Sequence, residues 1–234
     1  MVRAALAGLA AAILAAGCRS LEQEAIDVSH NMLLSGAGKD VQNKRYHAAI
    51  NKLEKAAALK PDHAASHFRL GNVLVLRARD PEVNEEAFRN FVSRALTHHL
   101  KALELAPEIA QVHYYVGQDL ILLGRPAEAI AYLEKAQELD PHAPFIDARL
   151  GDAYRLMKEF DLAETHYRAG LAKPPKALAT MELHEGLAET FAAQGRTDEA
   201  LQELELARKS ATSPDHLKRL EKRIQELKGP PAPQ

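Results

Sequence analysis

The sequence predicts an all-α protein, a solenoid of stacked helix pairs that ends in a C-terminal capping helix. Residues recur at intervals of 34: Pro107, Pro141 and Pro175 form one series, and Gly117 is followed by Gly151. A fixed period of about 20 to 50 residues is the signature of stacked structural repeats. Aromatic residues make up 5% of the 234 residues, and Ala and Leu supply most of the apolar content. This composition indicates closely spaced helices with small residues between them.

An apolar leader precedes the repeats. Arg3 gives a short positive start, and residues 4–16 are uncharged and mostly Ala, Leu and Ile. This stretch is shorter than the roughly 20 residues that cross a bilayer and suits a secretory signal, so residues 1–17 are predicted to be a signal peptide.

The end of the leader, Leu14-Ala15-Ala16-Gly17-Cys18, resembles a bacterial lipobox, with Ala15 where the commonest form has Leu. The resemblance implies that Cys18, the single cysteine, carries acyl chains such as palmitate and becomes the first residue of the mature protein. Because Arg19 rather than Asp follows, it also implies the outer membrane of a Gram-negative bacterium, with the chain facing the periplasm. The alternative is a chance cysteine in a cytosolic protein.

The third and fourth repeats, residues 110–143 and 144–177, carry the clearest pattern. Each has a glycine in its first helix, then a small and a large residue in its second helix, then a proline at the exit: Gly117, Ala129, Leu133 and Pro141, and Gly151, Ala163, Tyr167 and Pro175. Small residues permit close helix crossings, large ones fill the gaps between them, and proline stops the second helix. The pattern resembles the tetratricopeptide repeat (TPR) family. The resemblance implies that the helix pairs stack into a right-handed superhelical solenoid, whose curved surface binds proteins.

Three further repeats match less closely, over residues 21–63, 64–109 and 181–212. In the first of them Ser35-Gly36-Ala37-Gly38 interrupts the helical pattern, so its first helix is expected over about 21–34. The second is longer by 12 residues, since Pro61 and Pro107 are 46 apart. Asp80-Pro81-Glu82 has the chemistry of a helix start, which predicts one long second helix over 81–105 whose first half projects from the stack.

The projecting half would carry apolar side chains, namely Val83, Phe88 and Phe91. They either cover a neighbouring helix or form a secondary contact with a partner or a second copy. A capping helix is predicted over 214–228, where Leu217, Leu220, Ile224 and Leu227 form one apolar stripe. Residues 229–234 form a Pro-rich tail that is predicted to be disordered. The TPR solenoid as a whole is therefore assigned to residues 18–228.

The family resemblance also implies where a partner binds, because first helices line the inner curve of such arrays. The predicted groove residues are Phe68, Arg69, Asn72, Gln111, Tyr114, Gln118, Phe145, Arg149, Asp152 and Arg155. Aromatic and Arg side chains are frequent in binding hot spots. The groove is expected to become acidic at the last repeat, through Glu182, Glu185 and Glu189. Alternatively, Phe68, Tyr114 and Phe145 only pack between adjacent first helices.

Charge and motifs argue against several other functions. Lys plus Arg total 30 and Asp plus Glu total 32, and this balance speaks against nucleic-acid binding, which needs a concentrated basic face. The eleven histidines do not fall at metal-ligand spacing with cysteine or carboxylate partners. No Ser, Cys or carboxylate pair has the context of a nucleophile and base. The sequence therefore predicts neither catalysis, nor a cofactor, nor a metal site.

Together, Cys18 and the repeats make the whole chain similar to bacterial outer-membrane TPR lipoproteins, and in layout to the pilotins of type IV pilus systems. That resemblance implies a protein that binds a secretin subunit and assists its assembly or its localisation to the outer membrane. The alternative in the same location is an adaptor that recruits peptidoglycan hydrolases or proteases. A third possibility is an enzyme or small-molecule carrier that uses the groove. The oligomeric state stays open.

Overall fold

The computed structural model describes residues 2–174 and 177–229, with side chains for 22–174 and 178–229. Within those ranges the chain forms eleven helices and no strand, in two compact units, Met1–Leu105 and Ala106–Gln234. The first unit contains α1 Val2–Gln42, α2 Tyr46–Leu59, α3 Ala64–Ala78 and α4 Glu85–Leu105. The second unit contains α5 Ala110–Leu122, α6 Pro126–Leu139, α7 Pro144–Leu156, α8 Phe160–Leu171, α9 Ala177–Ala193, α10 Thr197–Ser210 and α11 Pro214–Lys228.

Helices that are consecutive in sequence pack on one another within each unit. In the first unit α1 packs on α2 and α3 packs on α4; in the second, α5 packs on α6, α7 on α8 and α9 on α10. In the second unit the first helices of the pairs also contact each other, α5 with α7 and α7 with α9. The three helices α5, α7 and α9 thus form one continuous face.

Close crossings within the pairs depend on glycine. A Cβ atom added to Gly117 would lie 2.6 Å from Leu133 Cγ, and one added to Gly151 would lie 2.5 Å from Tyr167 Cε1. In the first unit, a Cβ on Gly71 would lie 2.4 Å from His99 Nε2. The residues that cross these glycines are therefore His99, Leu133 and Tyr167, which are themselves spaced by 34.

Helix α1 is longer at its C-terminal end than the sequence predicted. The expected end near Leu34 is wrong, because the helix continues through Gly36 and Gly38 to Gln42. Ala37 is buried, and so is Asp40, which forms ion pairs with Arg45 at 2.5 Å and Lys52 at 2.6 Å. Packing on α2 therefore outweighs the low helix propensity of the two glycines, a cost of about 1 kcal/mol each.

The predicted helix over 81–105 is also wrong at its start. Residues 79–84 form a turn, in which the Val83 amide donates to the Asp80 carbonyl at 2.9 Å, and α4 begins at Glu85. The residue that caps α4 is Asn84, whose Oδ1 accepts from the Ala87 amide at 2.8 Å. Two cap sequences lie four residues apart, and the later one starts the helix.

The C-terminal helix α11 covers the last helix pair. It begins after Ser213, whose Oγ accepts from the His216 amide at 3.2 Å. Its buried residues Leu220 and Ile224 pack in a cluster with Met181 and Leu204. Pro175 and residues 230–234, on which an exit proline and most of the tail were predicted, lie outside the described residues. Across the part of the chain that is described, each helix falls short of the length or hydrophobicity that spanning a bilayer requires.

Candidate functional site

An aromatic pocket lies on the face formed by α5, α7 and α9. It is lined by Gln111, Tyr114, Tyr115, Phe145, Leu178, Ala179 and Glu182 and has a volume of about 320 Å³. The Tyr114 ring meets Phe145 edge to face, with centroids 4.9 Å apart, and meets Tyr115 in the same way at 5.2 Å. Leu178 is 54% exposed. The pocket thus has rigid aromatic walls and an exposed aliphatic rim, which suits an apolar side chain of a bound protein.

Arg149 fixes one wall of the aromatic pocket. Its guanidinium contacts the Tyr114 hydroxyl at 3.4 Å, Asp152 at 2.5 Å and Glu182 at 2.5 Å. Burial acts to lower the pKa of Arg149, but Asp152, Tyr114 and Glu182 outweigh it and hold that pKa above its ordinary value. Arg149 therefore stays charged and joins α5, α7 and α9.

A second set of ion pairs continues along the same face toward α11. Arg155 pairs with Glu189 at 2.8 Å, and Glu189 also pairs with Arg223 of α11 at 2.8 Å. Glu185 pairs with Arg219 at 2.8 Å and with Arg223 at 3.6 Å. Burial raises the pKa of Glu185, and the two arginines only partly oppose that shift.

The two sets form one ionic network of four arginines and four carboxylates: Arg149, Arg155, Arg219, Arg223, Asp152, Glu182, Glu185 and Glu189. They surround a pocket of about 340 Å³. The network is neutral overall, so the expected acidic end of the groove is wrong. The arginines that neutralise it come from α7 and α11, which flank α9.

The first unit has a groove of its own, of about 370 Å³, between α1, α2 and α3. We call it the unit 1 groove; its lining residues are Leu34, Ala37, Gly38, Val41, Gln42, Leu53, Arg69, Asn72, Val73 and Leu76. The lining is mostly aliphatic, and Leu76 is 40% exposed. Arg69 and Asn72 supply polar groups on α3.

Three histidines on the first helices α3, α5 and α9 have structural roles. His67 Nε2 donates to the Pro61 carbonyl at 3.0 Å, and His113 Nε2 donates to the Pro107 carbonyl at 2.8 Å. Each thereby ties a first helix to the preceding proline turn. His184 instead meets Glu203 at 2.6 Å. Among the described residues no group of three or more His, Cys, Asp or Glu has the arrangement of a metal site.

The predicted groove residues divide among these surfaces. Gln111, Tyr114 and Phe145 line the aromatic pocket; Arg149, Asp152 and Arg155 belong to the ionic network; Arg69 and Asn72 line the unit 1 groove. Gln118 is half-buried on α5 and lines none of the three pockets. The Phe68 ring packs against the His99 ring, with their centroids 5.7 Å apart.

The other predicted residues have different settings. Val83 lies in the turn before α4, and Phe88 and Phe91 are half-buried on α4. The Arg77 guanidinium carbon on α3 lies 5.7 Å from the centroid of the Phe91 ring. Phe91 therefore covers a neighbouring helix of its own unit. Cys18 lies in α1, outside the residues whose side chains are described.

Sequence reasoning left several lining residues out of the predicted site. Leu34, Ala37 and Val41 of the unit 1 groove were missed because Gly36 and Gly38 suggested that the helix ends. Their spacing of three and four residues was the signal that could have found them. Leu178 of the aromatic pocket lies between the predicted repeats 144–177 and 181–212, so the period assigned it no position, although it belongs to α9.

Comparison with known proteins identifies the family. Sequence models described as tetratricopeptide repeat match residues 40–95, 110–143 and 149–214. No curated protein sequence matches the chain. The chain belongs to the tetratricopeptide repeat family, and the predicted fold class, an all-α solenoid of TPR helix pairs, is confirmed.

Solved structures similar to this chain are TPR proteins. PilW, described as a widely conserved type IV pilus biogenesis factor, is 21% identical with a TM-score of 0.67, over 85% of each chain. A thermophilic TPR protein of Thermus thermophilus is 20% identical with a TM-score of 0.65, over 85% of this chain and 98% of its own. YrrB, described as having an unusual peptide-binding site, is 20% identical with a TM-score of 0.57, over 88% and 97%.

These matches define the class of protein. TPR proteins are protein-interaction scaffolds and are generally not catalytic, and this chain is a TPR scaffold for protein interactions. Among the described residues, the aromatic pocket and the unit 1 groove are two surfaces that suit that task. The ionic network is already satisfied by residues of the chain.

Proposed function

We propose that this protein is a lipid-anchored TPR scaffold of the outer membrane that faces the periplasm and assists the assembly or localisation of a type IV pilus secretin. The observation that carries the proposal is the order of the chain, in which an apolar leader ends at the single cysteine, Cys18, directly ahead of the TPR array. The similarity in fold to PilW, a pilus biogenesis factor, supports it.

Binding in this proposal uses the first-helix surface of each unit. In the second unit an apolar side chain of the secretin subunit enters the aromatic pocket, against Tyr114 and Phe145. Arg149 already holds the Tyr114 hydroxyl, so little side-chain entropy is lost when the partner binds. Well-packed aromatic residues are also the usual hot spots of protein interfaces.

The anchor is tested with Cys18→Ser. We expect the variant to fold with unchanged helical content but to leave the membrane fraction and to lose labelling by radioactive palmitate, because acyl chains contribute roughly 0.8 kcal/mol per buried methylene. The control is Ser20→Ala, which lies two residues away and keeps the cysteine. Retention of Cys18→Ser in the membrane, with the control behaving as wild type, refutes the anchor.

The function is tested in a deletion strain. We expect the strain to lose secretin multimers and twitching motility, and the wild-type gene to restore both. Tyr114→Ala should restore neither, whereas Tyr132→Ala, which removes the same side chain from α6 outside the aromatic pocket, should restore both. Both variants must accumulate to wild-type levels for the comparison to count.

The other outcomes of this experiment are equally informative. Intact pili with altered wall turnover would refute the secretin role and support an adaptor for peptidoglycan hydrolases or proteases. If Tyr114→Ala complements as well as wild type, the pocket is not the binding surface, even where the secretin role holds.

A further inference from the structure

One polar side chain of the unit 1 groove, Asn72, is hydrogen-bonded to a buried residue of the neighbouring helix α4. Asn72 lines the groove on α3, and its Oδ1 lies 3.1 Å from Nε2 of His99 on α4. His99 has no exposed surface. Because an amide oxygen can only accept, His99 Nε2 carries the proton and donates it. The amide nitrogen of Asn72 therefore points away from His99.

His99 reaches Asn72 only because Gly71 is a glycine. A Cβ at position 71 would lie 2.4 Å from His99 Nε2, so any larger residue would occupy the space of the imidazole. The Phe68 ring, also on α3, packs against the imidazole with the two ring centroids 5.7 Å apart. Two residues of α3 thus lie against the imidazole, and its Nε2 donor contacts Asn72, the residue that follows the glycine.

The same construction occurs independently in the second unit. Tyr167, 68 residues after His99, crosses Gly151, and its hydroxyl donates to Oδ1 of Asp152 at 2.8 Å. Asp152 follows Gly151 as Asn72 follows Gly71. In the intervening repeat, Leu133 crosses Gly117. Leucine has no polar group, so it cannot form a hydrogen bond with Gln118, the residue that follows Gly117. The crossing residue of the second helix thus decides whether the polar residue after the glycine is held.

We infer that His99 is a positioning residue for partner binding, which orients Asn72 so that its amide N–H donates to a backbone carbonyl of an extended segment in the unit 1 groove. This inference rests on the proposed function, since it names how that groove holds its protein partner. The aliphatic walls formed by Leu34, Val41 and Leu76 take the apolar side chains of the segment, and Asn72 sets its register.

His99→Leu is the informative variant, because Leu133 shows that leucine fills the same position over a glycine. It removes the donor while keeping a side chain that the fold accepts. His99→Gln is the rescue variant, since its amide nitrogen can donate to Asn72 from a similar reach. Both are made in the full-length chain, and thermal unfolding checks that each is folded.

The first measurement needs no partner. In nitrogen-15 spectra of the wild type we expect His99 to be protonated at Nε2 and the Asn72 side-chain amide to be ordered; in His99→Leu that amide should become mobile, and in His99→Gln it should stay ordered. A wild-type His99 protonated only at Nδ1 overturns the inference, because Asn72 would then present its oxygen to the groove. An Asn72 amide that stays ordered in His99→Leu also overturns it.

The second measurement is binding. With the periplasmic region of the secretin subunit as probe, we expect His99→Leu to weaken binding about 3- to 10-fold, the effect of one hydrogen bond, and His99→Gln to restore most of it. Equal affinity of His99→Leu and wild type overturns the inference. If wild type does not bind the secretin, the proposed function fails, and the probe becomes a capped alanine dipeptide. Its titration should then shift the Asn72 amide signal in wild type and not in His99→Leu, and the absence of a wild-type shift overturns the inference.

Discussion

Replacing Gly151 with alanine tests the packing of the second unit most directly. The new Cβ would lie 2.5 Å from Tyr167 Cε1 and 2.7 Å from Cζ, about 1 Å closer than an ordinary carbon–carbon contact. The ring has little room to move away, because it also packs closely against Gly186, where an added Cβ would lie 2.3 Å from the same Cε1. Tyr167 is also fully buried.

The expected magnitude follows from two opposing effects. Overpacking of a closed site costs about 1–3 kcal/mol, and this site is at the upper end because the buried ring packs closely against two glycines. The higher helix propensity of alanine than of glycine raises the free energy of unfolding by about 1 kcal/mol. We therefore expect Gly151→Ala to lower the free energy of unfolding by about 2 kcal/mol, which moves a urea midpoint by about 1 M.

The matched control is Gly38→Ala in α1. Gly38 is also helical, but a Cβ there would meet no atom within 4 Å, so the same substitution should stabilise the protein by about 1 kcal/mol. Urea unfolding followed by circular dichroism measures both. If Gly151→Ala shifts the midpoint in the same direction as Gly38→Ala, the close crossing of Tyr167 over Gly151 is refuted. In a Tyr167→Ala background the penalty at position 151 should disappear.

Three further predictions concern polar groups. Tyr167→Phe removes only the hydroxyl that donates to Asp152, and urea unfolding should show a loss of about 1–2 kcal/mol; no loss would mean that the hydrogen bond is not formed. Arg149→Leu leaves the half-buried Glu182 without its partner and should lower the free energy of unfolding by about 1–3 kcal/mol, with a smaller loss when Glu182→Gln is added; an equal loss in both variants would argue against the pair. Burial lowers the pKa of His98 to about 4, below its unfolded value near 6.5, so the unfolded state binds the proton first and stability should fall as pH drops from about 6.5 to 4. His98→Gln should flatten that part of the pH profile of unfolding, and an unchanged profile would contradict the shift.

The neutral ionic network shows why local sequence is a poor guide to surface charge. Glu182, Glu185 and Glu189 form an acidic stripe on α9 when the helix is considered alone. In the fold, Arg149 and Arg155 of α7 and Arg219 and Arg223 of α11 pair with the three carboxylates. The pairs join residues about 30 to 40 positions apart, so only the packing of one repeat on the next brings them together.

The helix boundaries in the first unit also depend on tertiary packing. Because Gly36 and Gly38 lower helix propensity, the sequence predicted that α1 ends too early, near Leu34. Because Asp80-Pro81 can cap a helix, the sequence also predicted that α4 begins too early, at Pro81. Burial of Ala37 and Asp40 against α2 carried α1 to Gln42, and Asn84 capped α4 in place of Asp80. Helix propensities differ by about 1 kcal/mol per residue, and the free energy gained from tertiary packing is larger than that difference.

The sequence by itself determined the fold class of this protein, because the 34-residue spacing of Gly117 and Gly151 and of the residues that cross them is imposed by contacts within one helix pair. Tertiary structure alone decided which first-helix residues are open to a partner. Tyr114 and Phe145 line a pocket while Arg149 and Arg155 are engaged by carboxylates, although all four occupy first helices. The physical reason is that exposure and charge at a position depend on the neighbouring repeat, whose side chains no periodicity specifies.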